Sequence, residues 1–191
     1  GEIVLSAKLF VDMMRRMNGD TVTIHTDEKY LTEIKSGATE FTILGIPSDE
    51  FPEIPVVQEE QSISLPQHLL KSMIDQTLFA ISTNDSKPVH TGSLFQLEDG
   101  ELRVVSVDGF RLALRREKVS AEGSAQFIIP GKTLSEMNKL LSDEEDEETR
   151  LYLSRKHVVV QIGQYKVISR LLEGEFLDYK AAIPAGSNST V

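Results

Sequence analysis

The side chains able to do chemistry are four histidines, His25, His68, His90 and His157, and thirty carboxylates; there is no cysteine. Nucleophilic catalysis needs a base within reach of the nucleophile. The histidines are scattered, and no HExxH pair, GxSxG elbow, Walker loop, GxGxxG or zinc ribbon is present. The missing cysteines exclude disulfides, thiolate metal sites and cysteine nucleophiles, and favour a reducing, intracellular home. The acidic run "SDEEDEET" at 142–149 lacks the spaced oxygen ligands and central glycine of a calcium loop and reads as solvated. The sequence thus predicts no catalytic residue, no metal and no cofactor.

One stretch promises binding instead. "VVSVDGFRLALRRE", residues 104–117, is two apolar runs around one Asp-Gly. Asp-Gly between alternating apolar residues signals a tight hairpin. A turn has no need of the arginine at 111, so the stretch reads either as a bend with a surface ion pair or as a surface that holds something.

The elements that must position these residues form a repeat. Three segments, starting near residues 2, 62 and 126, each run through a short strand, a helix and three strands. A fixed period of about 60 residues indicates a duplicated supersecondary unit. Helices open at Ser6, Pro66 and Gly131, and proline at a helix start has its φ already set. Leu69, Leu70, Met73, Ile74, Thr77, Leu78 and Ile81 recur at helical spacing, as do Leu9, Phe10, Met13, Met14 and Met17, and then Leu134, Met137, Leu140 and Leu141. These stripes read as core. Strands such as "TVTIHT", with Val22 and Ile24 on one face, and "VVVQIG" alternate between turns at "LEDGEL" and "LSRKHV". The two prolines of "FPEIPVV" mark a boundary near 55–61, while "EEQ" at 59–61 and "SAEGSA" at 120–125 are short connections.

The net charge is −10, which alone argues against tight nucleic-acid binding. The distribution says more. Segment 6–18 sets Lys8, Arg15 and Arg16 against Asp12; segment 131–142 sets Lys132 and Lys139 against Glu136; segment 66–81 sets Lys71 against Asp75. The helices are basic on balance and the remainder is acidic, as a face apart from the rest would require. No apolar run reaches the roughly 18 residues of a membrane span, and "GEIVLSAKLF" is no signal peptide. Gly1 in place of Met suggests a cloning scar or a cut chain.

With these pieces in place, "SLPQHLLKSMIDQTLFAIS", "GELRVVSVDGFRLALRR", "FIIPGKTLSEMNKLL" and "LLEGEFLDYKAAIP" together resemble the bacterial sliding clamps, the β subunits of DNA polymerase III, from residue 2 to 184. "DGFRLA" and "EGEFLDY" are the most specific parts. The family usually has His or a similar residue where Phe110 stands, and "FPDY" where this chain has "FLDY".

The resemblance implies an α+β clamp fold of β-α-β-β-β units, with antiparallel sheets outside and helices on one DNA-facing side. It implies that residues 1–55 are the C-terminal half of a first domain and 56–184 a complete middle domain, with repeats at about 61–120 and 125–184. Residues 185–191 would be a linker toward a third domain. The half domain lacks the unit it would pack against, so its sheet edge and helix stripe are expected to be exposed.

The implied function is that of a non-catalytic, cytoplasmic processivity factor, a homodimeric ring held on double-stranded DNA by topology, with no membrane partner. Lys8, Arg15, Lys71, Lys87, Lys132 and Lys139 are the expected DNA-facing side. A pocket for short linear motifs of the replicative polymerase and clamp loader would be lined by His90, Val107, Gly109, Phe110, Arg111, Leu112 and Leu177, with Arg111 at the rim and Leu112 and Leu177 as wall. A free-standing interaction module using the same unit without DNA is the alternative, and a hydrolase with a spatial triad is a third.

Overall fold

Proline fixes the entry to two of the three long helices. In the computed structural model, which describes residues 1–51, 61–84 and 86–184, Pro66 and Pro130 occupy the positions just ahead of helices α2 (Gln67–Leu78) and α3 (Gly131–Leu140) with φ of −58° and −57°. The third entry is therefore set by Pro130, and Gly131 is the first residue of its helix. Ser6 takes the same place ahead of α1 (Ala7–Met14). The helices are shorter than their apolar stripes: α2 stops at Leu78, which leaves Ile81 outside it.

The chain divides into two units, Gly1–Pro55 and Val56–Val191. The boundary stretch 52–60 and the tail 185–191 lie outside the described residues. In the first unit, β1 (Thr23–Thr26), β2 (Leu31–Ser36) and β3 (Thr39–Leu44) form an antiparallel sheet in that order. Val22 falls just outside β1. An Asp27 carboxylate oxygen accepts from the Lys29 and Leu31 amides at 2.9 and 2.8 Å and closes the first turn. Val4 makes an isolated bridge to Ile46. Among the described residues of this unit, Thr32, Ile34, Ser36, Ile43 and Gly45 are buried, and α1 buries no residue.

The second unit has β4 (Gln61–Pro66), α2, β5 (Gly92–Glu98), β6 (Glu101–Val107), β7 (Leu112–Lys118), β8 (Ala125–Pro130), α3, β9 (Glu148–Leu153), β10 (His157–Ile162), β11 (Tyr165–Arg170) and the short α4 (Tyr179–Ala182). Its two antiparallel sheets run β11-β10-β9-β4 and β7-β6-β5-β8. Each sheet thus takes three strands from one repeat and its fourth from the other: β4 pairs with β9, and β8 with β5. Neither repeat completes a sheet alone.

One core results. Phe95 stacks on Phe127 at 5.4 Å, and Ile63, Leu70, Met73, Leu134, Met137, Leu151 and Val160 bury wholly around them. The helices lie side by side, with Asn138 Nδ2 donating to Asp75 Oδ1 at 2.7 Å. Buried Gln67 ties the repeats together: its amide donates to the Glu147 and Glu148 carbonyls from N and Nε2, and its Oε1 accepts from the Ser142 amide. Residues 148 and 149 of the acidic run belong to β9, where Thr149 is buried.

The β5–β6 turn is Asp99–Gly100, both at positive φ (52° and 73°), the conformation that a two-residue hairpin needs.

Candidate functional site

The Asp-Gly signal marks the connection from Val107 to Leu112. Gly109 sits at φ 92°, which a side chain would strain, and a Cβ there would meet open space. Asp108 organises the turn. Its Oδ1 accepts from the Phe110 and Arg111 amides at 3.0 and 3.1 Å, and its Oδ2 from Arg111 Nε at 2.9 Å. The Phe110 amide first, and then the Arg111 side chain, hold the Asp108 carboxyl below its usual range. The arginine serves both readings of the turn: it closes a surface ion pair, and it borders a cleft.

That cleft holds about 530 Å³ and brings together His90, Val107, Gly109, Phe110, Arg111 and Leu177. Leu112 is not in its lining. The strand alternation turns Leu112 to the outer face of the β7-β6-β5-β8 sheet, where it packs against the cluster of Leu94, Val105, Ile128 and Tyr179. Lys87, expected with the DNA-facing cations, lines the same cleft.

A second segment supplies the opposite wall. The stretch from Leu171 to Ala182 lies over that outer face and is fastened at two points. Tyr179 is buried, its hydroxyl donating to Gln96 Oε1 at 2.6 Å. Phe176 packs edge-on against the His90 ring, with centroids 5.3 Å apart. Burial, and then the nearby Lys87 charge, push the His90 pKa down. Leu177 stands between these two fasteners and is 43% exposed.

Phe79 was not among the expected site residues. It follows α2, is 59% exposed, and lies under the Arg111 guanidinium at 5.5 Å from the ring centroid. The signal for it was an aromatic residue one step off the apolar stripe. Phe110 is 99% exposed. Phe79, Phe110 and Leu177 are thus bare apolar groups around a guanidinium held by Asp108, an arrangement that suits an apolar-anchored peptide better than bond-breaking chemistry.

The helix cations differ in their surroundings. Lys71 Nζ pairs with Asp143 at 2.6 Å, so the acidic loop reaches α2, and Lys139 pairs with Glu136 at 2.8 Å. Lys8, Arg15 and Lys132 are exposed and make no ion pair among the described residues.

Duplicated β-α-β-β-β repeats that exchange their first strands, with paired helices against two antiparallel sheets, define the sliding-clamp fold. The description "DNA polymerase III beta subunit, central domain" matches residues 64–178, and its N-terminal domain counterpart matches 1–55. The chain belongs to the DNA polymerase III beta subunit family.

It is 38% identical over 185 residues to the beta sliding clamp of Staphylococcus epidermidis, covering 96% of this chain and 49% of that protein. To that of Bacillus subtilis it is 36% identical over 193 residues, covering 100% and 51%. Among solved structures, the Bacillus subtilis DNA polymerase sliding clamp superposes with a TM-score of 0.88 at 36% identity, covering 98% of this chain and 50% of that one. A putative DNA polymerase III beta subunit from Eubacterium rectale gives 0.86 at 37%, covering 97% and 51%. The chain spans about half the length of the curated relatives it matches. No helix among the described residues is long and apolar enough to cross a membrane.

Proposed function

We infer that the chain is part of a DNA sliding clamp, a cytoplasmic, non-catalytic processivity factor that encircles duplex DNA as a homodimeric ring and tethers the replicative polymerase and clamp loader through short linear motifs. Residues 1–55 are the second half of the first clamp domain and 56–184 the middle domain, with 185–191 leading toward a third. The observation that carries this reading is the cleft at the Asp108–Arg111 turn, where Phe110 is 99% exposed. A fully exposed phenylalanine on a turn fixed by three hydrogen bonds to one carboxylate suits a docking surface for apolar side chains.

Val107, Gly109 and Leu177 form the floor and one wall of that pocket, and His90, Phe110 and Arg111 its edge. Leu112 supports it from the same sheet face, packed beside the lining on the cluster of Leu94, Val105, Ile128 and Tyr179. Lys8, Arg15 and Lys132 face the DNA, where unpaired cations attract phosphates without reading sequence. Lys71 and Lys139 belong to the same face with their charge partly cancelled by Asp143 and Glu136. Lys87, beside the cleft, has a place in either role.

Fluorescence anisotropy of a labelled clamp-binding peptide with apolar anchors tests the reading. Saturable binding that Leu177→Glu abolishes is expected. No saturable binding, or binding that Leu177→Glu leaves unchanged, overturns it.

A further inference from the structure

The strap that carries Leu177 has little backbone bonding of its own. The Leu172 amide donates to the Ile128 carbonyl at 2.9 Å, and beyond it residues 173–177 make no backbone-to-backbone hydrogen bond among the described residues. The path of the chain there is set by what packs on it. Gly174, at φ 130°, passes so near Val89 that a Cβ would lie 2.8 Å from Val89 Cγ1. Phe176 lies edge-on against His90. Two residues past Leu177, Tyr179 is buried in the cluster of Leu94, Val105 and Ile128. Leu177 itself is outside that cluster and half-exposed. Its place is therefore inherited from the residues on either side of it.

The far part of the outer sheet face receives the Tyr179 hydroxyl. Gln96 stands two residues after Leu94 on β5, and so on the same face. Its Oε1 accepts from the hydroxyl at 2.6 Å. Across the strands Gln96 is opposite Arg103 of β6 and Gln126 of β8. Arg103 is pinned by Glu101 at 2.5 Å and Glu98 at 2.9 Å, and Lys180 Nζ comes within 3.8 Å of Glu98. Asp178 Oδ1 accepts from the Lys180 and Ala181 amides at 3.2 and 3.4 Å, which turns the chain into α4 at Tyr179. Neither Tyr179 nor Gln96 lines the cleft.

We propose that Tyr179 and Gln96, outside the cleft, are positioning residues: the buried ring and its hydrogen bond hold the strap down and so deliver Leu177 to the wall where it meets a docked apolar side chain. The proposal rests on the docking reading of the cleft. A segment without backbone bonds is free to lift once a fastener goes. Peptide then binds only those molecules whose strap is down, and apparent affinity falls in proportion to that fraction. The loss is bounded by that of removing Leu177, because Leu177 is what the fastener delivers. It vanishes when Leu177 is already gone, which a general loss of stability would not do.

Anisotropy of a labelled peptide with apolar anchors, on the whole chain, reads the coupling. Leu177→Ala removes part of a leucine contact and is expected to weaken binding about tenfold. Tyr179→Ala is expected to match it within about twofold, and Leu177→Ala/Tyr179→Ala to bind no worse than either single change by the same margin. Tyr179→Phe, which keeps the ring, should fall between the parent and Tyr179→Ala. Gln96→Leu takes away only the acceptor and serves where Tyr179→Ala does not fold. It is expected to cost about two- to tenfold, again with nothing added in the Leu177→Ala background. Because the chain has no cysteine, a nitroxide on Leu177→Cys reports the strap without any peptide. Its spectrum is expected to sharpen when Tyr179→Phe or Gln96→Leu is added. An unchanged spectrum overturns the proposal, whether or not the parent chain binds peptide. So does unchanged affinity in Tyr179→Ala or Gln96→Leu, or a loss that adds in full to that of Leu177→Ala. A parent chain that binds no peptide while the nitroxide sharpens refutes the docking reading and leaves the positioning of residue 177 standing.

Discussion

Gly92 opens β5 directly after the turn that carries His90, and replacing it with alanine tests the strand exchange at its tightest point. Its backbone is extended, at φ −137° and ψ 178°, so no conformational reason requires glycine. Space does. A Cβ would lie 2.3 Å from the Ile129 carbonyl oxygen, 2.9 Å from its carbon and 2.9 Å from Leu172 Cδ1. Two of these atoms are backbone of β8, which is paired to β5 and has no free rotamer to offer. Restoring ordinary contact moves β8 away by roughly 1 Å, beyond what a sheet hydrogen bond tolerates. Overpacking of this kind costs about 1–3 kcal/mol, and one lost ladder bond about 1 kcal/mol more. Together these come to about 2–4 kcal/mol, a fall in melting temperature of about 5–15 °C for a domain of this size. Because β5 and β8 come from different repeats, the whole second unit should melt earlier as one transition in differential scanning calorimetry. Melting within about 2 °C of the parent chain would refute the reasoning, since the crowding would then be absent.

Phe79→Ala removes the ring beneath Arg111, and peptide affinity should fall about two- to fivefold by anisotropy, the scale of an exposed cation–π contact; Phe79→Tyr should restore it. His90 has a pKa below that of a free histidine, so the folded state binds fewer protons than the unfolded chain near pH 6. Stability is therefore full above the unfolded value of about 6.5 and declines as pH drops below it, levelling once the folded group is also protonated. Denaturant midpoints from pH 7.5 to 5 should show a shallower decline in His90→Leu. Binding of a short duplex at low ionic strength should suffer more from Lys132→Glu than from Lys139→Glu, because Lys139 is already paired with Glu136. Equal losses would remove the distinction between paired and unpaired helix cations.

The helices, the repeat and the turn were legible in the sequence because each is specified locally. The 3.6-residue spacing of Leu70, Met73, Ile74 and Thr77 finds α2, and Asp-Gly finds the turn at Gly109. Strand exchange was not legible. Alternation says which face of β4 is apolar, but nothing within Gln61–Pro66 selects Glu148–Leu153 over the strands that follow it directly. The Lys71–Asp143 pair was hidden for the same reason, its members being 72 positions apart. Leu112 faces the same side of its sheet as its cross-strand partner Val107, which lines the cleft, but it packs against Leu94, Val105, Ile128 and Tyr179, residues that the sequence does not place beside it. Phe79 and Phe176 went unremarked because an aromatic beside an apolar stripe resembles core until its exposure is known.

The exchanged strands also set a schedule. A ribosome adding roughly 5–20 residues per second releases β4 well before β9, and the 88 positions from Ile63 to its partner Leu151 correspond to roughly 4–18 s of synthesis. During that interval the first repeat of the second unit has its helix and three of its own strands, while β4 waits and the β5 edge stands open. For those seconds an unpaired strand edge stands open to any segment of matching pattern. Crowded nascent chains on one message are then the setting in which the wrong partner arrives first.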